Sequence, residues 1–399
     1  MTSPKILLAV GMAAVCGCTG LASAQTAPAT PATAAAVAIP AIPGTLAASA
    51  ATATPSLGAV LAATPGLSIT GYVSAGYAHF DTTTPGLRQF DTKQNSFSLN
   101  QAAMTLSYLP TSGAGGLVNV IAGSDAKILR NAELFGSTTN SQFDILQAYA
   151  QYATGPLTFM AGKFVTLAGA ETINPTTDTN ISRSLLFTYL IPLEHTGVRA
   201  TYAPGSSLML TAGLNNGWNY SSSPPDARGK TIELQVSGTP SKMFSYAVTA
   251  YSGQFPLDAL VSPLAVPGVA GRRDVVDFLG TIKVTDLLSF VGNVDVLSQD
   301  TPHGKLKASG IALYANYALN TQWGLSARGE YVDDKDGLIT GLTGNQLKEL
   351  TLTASYKPDA PMTLMAEVRQ DKSDQPIFNK NGSPASNQTS LELQAVYSF

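Results

Sequence analysis

The last residues of the chain alternate in polarity. Leu391, Leu393, Ala395, Tyr397 and Phe399 share one parity, and Glu392, Gln394 and Ser398 share the other. A β-strand sends successive side chains to opposite faces, so this segment has one apolar and one polar side. The same pattern sets Ile232, Leu234 and Val236 against Glu233, Gln235 and Ser237, and Phe278, Ile282 and Val284 against Asp277, Thr281 and Lys283. It sets Leu325, Ala327 and Tyr331 against Arg328 and Glu330, and Met362, Leu364, Ala366 and Val368 against Thr363, Glu367 and Arg369. One such strand fits a soluble sandwich. A long succession with no helical stretch between specifies an all-β meander.

Charge decides what surrounds that meander. Only 12% of the 399 residues are charged, where a soluble domain carries about 25%. Beyond residue 24 no run of 18 apolar residues occurs, so no helix can span a bilayer. A transmembrane β-barrel satisfies both facts, because only every second residue of a strand must face lipid. The net charge of −3 shows no basic excess, and no nucleic-acid partner is expected.

Residues 1–24 have the layout of a secretory signal peptide: Lys5 in a short basic region, the apolar run Ile6–Val15, and Ala22-Ser23-Ala24 before Gln25. Both cysteines, Cys16 and Cys18, lie within it. The mature chain would have no disulfide; the rival reading makes Cys18 a lipidated N-terminus. Residues 25–67 hold no charge and are rich in Ala, Pro and Thr, which predicts a periplasmic linker. Residues 68–399 form the barrel.

About sixteen strands are expected, with 14 or 18 left open should a pair be split or merged, beginning near Ser68, Ser96, Gly116, Phe143, Pro156, Leu193, Ser207, Lys230, Lys242, Asp274, Leu287, Lys305, Gln322, Leu347, Pro361 and Thr389. Short turns such as Thr154-Gly155 alternate with long connections 80–95, 165–191, 216–229, 253–273 and 371–387. That alternation marks short periplasmic turns and long outer loops. Ala-x-Tyr recurs before the short turns, ending at Tyr152, Tyr202, Tyr317, Tyr356 and Tyr397, with Tyr108 at the equivalent place. With the terminal Phe399 these predict an aromatic girdle at one membrane interface.

Several stretches resemble the OmpL-like porins of the β-barrel porin-2 family. They are Gly162-Lys163-Phe164, Gly169-Ala170-Glu171, Asn180-Ile181-Ser182-Arg183-Ser184-Leu185, His195-Thr196-Gly197-Val198-Arg199 and Asn215-Asn216-Gly217-Trp218. The similarity is densest over 147–218. It implies an outer-membrane channel and no catalytic residues. Phe399 likewise resembles the insertion signal read by the barrel assembly machinery.

The expected function is therefore a porin of the Gram-negative outer membrane, passing small hydrophilic solutes by diffusion, without cofactor or metal. Its other partners would be membrane lipid, lipopolysaccharide and, as in many sixteen-stranded porins, two further copies in a homotrimer. The alternative is an envelope anchor that uses the Ala/Pro linker. The longest connection, the third outer loop, is apolar at its centre and is expected to fold inward. Glu171, Asp178 and Arg183 would then meet wall charges such as Arg199; the competing reading makes Ser184–Leu190 a lipid-facing strand extension. Parity points Arg199, Lys283, Arg328 and Arg369 inward, with Glu233, Asp277, Asp295, Glu330, Glu349, Glu367 and Glu392. This predicts a weak cation preference, or a neutral wall where neighbours pair. Asp333–Gly337 and Asp371–Asp374 read as solvated acidic outer loops. Lys163 shares the parity of Leu157 and Phe159, which leaves it at the headgroups or turned inward by a bulge. His195 has no nucleophile motif beside it.

Overall fold

The computed structural model describes residues 64–129, 141–220, 229–260 and 263–399. The expected leader, both cysteines and most of the expected linker lie outside them. Sixteen antiparallel strands close into one barrel. In chain order they are β1 (Leu67–Phe80), β2 (Ser96–Tyr108), β3 (Gly113–Ala122), β4 (Phe143–Thr154), β5 (Leu157–Val165) and β6 (Glu194–Tyr202). Then come β7 (Met209–Asn215), β8 (Thr231–Ser241), β9 (Phe244–Pro256), β10 (Ala270–Lys283), β11 (Leu288–Thr301) and β12 (Gly304–Ala318). The last four are β13 (Trp323–Asp334), β14 (Asn345–Tyr356), β15 (Met362–Ser373) and β18 (Asn387–Ser398). A hairpin of β16 (Phe378–Lys380) and β17 (Ser383–Ala385) sits in the connection before β18. Two short helices, α1 (Ser124–Leu129) and α2 (Leu185–Tyr189), lie in long connections.

Each expected strand exists, its start displaced by at most a few residues. The connections differ in three places. Strands β9 and β10 run to Pro256 and from Ala270, which shortens the expected 253–273 loop. The β11–β12 connection is a tight turn in which Thr301 pairs with Gly304. The connection 123–142 is long and carries α1.

Alternation in sequence becomes alternation in exposure. In β8, Ile232, Leu234 and Val236 are exposed, while Thr231, Glu233, Gln235 and Ser237 are buried. The apolar residues form the outer face, which in a bilayer meets lipid. The seam closes at the C-terminus. Gly71 and Phe399 exchange two backbone hydrogen bonds, each 2.8 Å. A Cβ on Gly71 would collide with the Phe399 ring and lie 2.6 Å from the Ala103 carbonyl oxygen.

In β5, Gly162 holds φ +139°, a conformation that favours glycine. Lys163, which follows it, is buried and pairs with Asp144 (3.4 Å) and Glu194 (3.0 Å). It is an ion-paired group at the outer ends of β4, β5 and β6, not a headgroup-level lysine.

Replacing Gly71 by Val should overpack this seam by about 1–3 kcal/mol. The midpoint of heat-induced loss of the compact electrophoretic form should fall; an unchanged midpoint would show that the seam tolerates a side chain.

Candidate functional site: a loop bound to the inner wall by buried charges

The polar parity of β13, β14 and β15 brings charges into rows. Arg328 registers with Thr351 and Thr351 with Arg369, while Glu330 registers with Glu349 and Glu349 with Asp371. A cationic row therefore lies beside an acidic one. Arg328 Nε is 3.1 Å from Glu349 and 3.3 Å from Glu330. Arg369 Nη2 is 2.7 Å from Asp371. Asp371 is thus a buried wall residue and not part of a solvated loop, because β15 continues past it.

The connection 166–193 bonds to these rows. Glu171 meets Arg328 Nη1 at 2.6 Å, and the Ser182 carbonyl accepts from the same nitrogen at 2.7 Å. Glu330 accepts the backbone N–H of Leu185 (2.8 Å) and Leu186 (3.3 Å). Glu367 accepts those of Ile181 (2.6 Å) and Ser182 (3.0 Å). Ser184 caps α2 by accepting from Phe187 N at 2.9 Å. Leu185, Leu186, Phe187 and Leu190 are buried, so Ser184–Leu190 is a packed helical turn and not a lipid-facing strand extension. Gly310 makes room for it: a Cβ there would lie 2.8 Å from Leu186 Cδ1. From the connection 81–95, Arg88 reaches Asp371 (2.7 Å) and Asp91 (2.6 Å).

Arg183 and Asp178 pair with each other at 3.0 Å. Arg183 also donates to the carbonyls of Thr172 and Ile181, at 2.7 and 2.9 Å, and so staples the loop to itself. Arg199 is not a partner of this loop's charges. It binds Glu233 through Nε at 2.6 Å. Gly213 lies in register between Arg199 and Glu233; having no side chain, it lets the two meet across β7. The wall arginine that meets Glu171 is Arg328.

The other charges assigned inward by parity have the following neighbours. Asp277 and Asp295 face each other across β10 and β11, with Asn293 donating to Asp277 at 2.6 Å. Asn293 in turn accepts from Ala170 N at 3.1 Å. Glu392 is buried 4.0 Å from Arg88, and Lys283 is half-buried beside a short turn. Of the two readings of these inward charges, the paired wall describes their surroundings better. Arg328, Arg369, Glu233, Asp277 and Asp295 are all 0% exposed, because loop residues and opposed neighbours cover them. His195 is likewise buried, stacked on Tyr251 with ring centroids 4.7 Å apart and one ring nitrogen 3.1 Å from the Gly217 carbonyl. Asp334 holds the turn after β13 by accepting from Ile339 N and Thr340 N. Among the described residues no group of three or more His, Cys, Asp or Glu side chains is placed to hold a metal ion.

Tyr108, Tyr152, Tyr202, Tyr317, Tyr356 and Tyr397 stand at the short-turn ends of their strands, and all but Tyr356, which stacks on Trp323, are exposed. Phe399 is exposed beside Tyr397.

Sequence reasoning missed Arg88, which lies in an aperiodic loop, and Ser182 as a main-chain acceptor. Asp371 shares the odd numbering of Glu367 and Arg369, so its inward position was readable had β15 been extended.

Burial pushes the Asp178 carboxyl up to about 7, and Arg183 draws it back only in part. Asp125 in α1 is pushed up to about 6 for the same reason.

Arg328→Leu leaves Glu171, Glu330 and Glu349 without their shared cation, and should cost about 3–5 kcal/mol. Lys348→Ala, which removes an exposed pair with Asp374, should cost about 0–1 kcal/mol. Denaturation midpoints compare them, and equal losses would deny the network a structural role. For Asp178 the folded protein holds its proton more tightly than the unfolded chain. Its contribution to stability is present below about pH 4 and lost as pH rises through about 7. Relative to Asp178→Asn, the wild type should lose stability across that interval; a pH-independent difference would refute this.

The fold recurs in solved outer-membrane proteins. OmpT of Vibrio cholerae in its trimer form superposes with a TM-score of 0.60 at 13% identity, covering 84% of this chain and 99% of that one. The outer-membrane channel DcaP of Acinetobacter baumannii gives 0.57 at 15% identity, covering 84% and 97%. An anion-selective porin from Comamonas acidovorans gives 0.57 at 10% identity, covering 84% and 99%. No curated protein matches the sequence. The model of the family described as "Putative beta-barrel porin-2, OmpL-like" matches residues 66–399. With the closed sixteen-stranded barrel, this match makes the chain a member of the OmpL-like β-barrel porin-2 family, and hence a porin channel of the bacterial outer membrane.

Proposed function

We propose that the protein is a passive diffusion channel for small hydrophilic solutes, with a lumen narrowed by the connection 166–193. The observation that carries this is the capture of four consecutive-region amides, those of Ile181, Ser182, Leu185 and Leu186, by the wall carboxylates Glu367 and Glu330. A sixteen-stranded barrel with an empty interior would conduct freely. The reading is supported by the segment's contacts with residues of β12 to β15 and by the burial of most inner-face charges. Glu171, Asp178 and Arg183 belong to the constriction, with Arg328 as its wall cation. Arg199 lines the wall beside it.

The paired charges favour weak ion selectivity over a strong field. The remaining expectations join this reading: export by a cleaved leader, an uncharged periplasmic linker, insertion by the barrel assembly machinery, lipopolysaccharide around the outer loops, and an aromatic girdle. A homotrimer is proposed on the ground that a similar fold is known in a trimer form.

Single-channel recording in planar bilayers tests the constriction. The wild type should show a small unitary conductance, and deletion of residues 182–187 should raise it about twofold or more while the barrel stays resistant to detergent. Unchanged conductance would overturn the role of the loop.

A further inference from the structure

Six arginines are buried among the described residues: Arg88, Arg183, Arg199, Arg273, Arg328 and Arg369. Five have a carboxylate within 3.1 Å: Arg88 has Asp91 and Asp371, Arg183 has Asp178, Arg199 has Glu233, Arg328 has Glu171, and Arg369 has Asp371. Arg273 has none. Its Nε donates to Gln299 at 2.8 Å, and its terminal nitrogens make no hydrogen bond among the described residues. Its guanidinium lies 3.4 Å from the centre of the Phe255 ring and 5.1 Å from that of Trp218. Cation–π contact softens the burial of such a charge but does not replace a counterion.

Arg273 lines a cavity of about 650 Å³. The other walls include Trp218, Phe255, Tyr189, Leu193 and Ile339. They come from the long-connection side of the barrel, so the cavity lies at its outer mouth, beside the end of α2. A volume of this order takes a small organic ligand. The lining also carries Glu194, which is paired with Lys163 at 3.0 Å, and the polar Asn219 and Tyr220. Arg273 is the lining cation with no carboxylate partner among the described residues, and the aromatic side of the cavity offers a surface for the body of a ligand.

We propose that this cavity is a binding site for small organic monoanions with a flat apolar body, of the aromatic carboxylate class. Arg273 takes the carboxylate through its terminal nitrogens, and the Trp218 and Tyr189 side of the cavity takes the ring. The site deepens the porin reading and rests on it only for the solute's onward passage.

The chain has two tryptophans, so Trp323→Phe leaves Trp218 as a reporter in the pocket. The purified full-length barrel in detergent is titrated with benzoate, benzamide and acetate. Benzoate should change the Trp218 emission saturably. Benzamide and acetate should bind about tenfold more weakly or less, and Arg273→Gln should weaken benzoate about tenfold without affecting benzamide. Equal affinity for benzoate and benzamide, or no effect of Arg273→Gln, overturns the anion site. Equal affinity for benzoate and acetate overturns the apolar subsite. Should Arg273→Gln fail to fold, Ile339→Phe reduces the cavity and keeps the cation; unchanged benzoate affinity there also overturns the proposal. Conductance without benzoate binding would sink this site and leave the porin reading standing. Benzoate binding without conductance would do the reverse.

Discussion

Hydrocarbon offers no hydrogen-bond partner, so every backbone amide and carbonyl in the membrane must be satisfied within the protein. The rest of this structure depends on that constraint. It requires the sixteen strands to close without an edge, and closure comes where Gly71 and Phe399 exchange their backbone bonds. It also requires one face of each strand to be apolar. All the polar side chains of the spanning segments must then crowd onto the other face, inside the ring.

That crowding creates a second problem. Charges facing an enclosed space lose water unless the space is wide. Here residues of the connections 81–95 and 166–193 bond to these charges, and the charges are satisfied by one another. Alternating rows across β13, β14 and β15 put each arginine beside carboxylates from neighbouring strands. Glu330, beside Arg328, and Glu367 also take backbone amides of the connection 166–193. Wall and loop therefore share partners: Glu171 of the loop joins the carboxylates around Arg328, and Glu367 and Glu330 accept the loop's amides. Arg273 departs from this arrangement, and it does so beside a cavity.

The strands were legible because period-two alternation is local and survives in any tertiary context. Ile232–Ser237 and Leu391–Ser398 reveal their faces without knowledge of their neighbours. The loop contacts were less so. Sequence picked out Glu171, Asp178 and Arg183 from an apolar loop with few charges, but joined them to Arg199. The pairing of Arg199 with Glu233 depends on Gly213 lying in register between them, which is a property of three strands together. Lys163 failed a simple parity rule because Gly162 adopts a positive φ that turns the backbone.

The sequence by itself determined the architecture: a lipid-facing barrel of about sixteen strands, mostly long connections on one side, and the face on which most wall charges stand. Strand polarity is written residue by residue, so no folding information beyond the chain is needed to read it. Tertiary structure alone decided which charges meet, how far water reaches them, and which buried arginine has no carboxylate partner among the described residues. Those outcomes depend on register between strands and on the path of aperiodic loops, where residues such as Arg88 and Asp371, far apart in the chain, come within 2.7 Å.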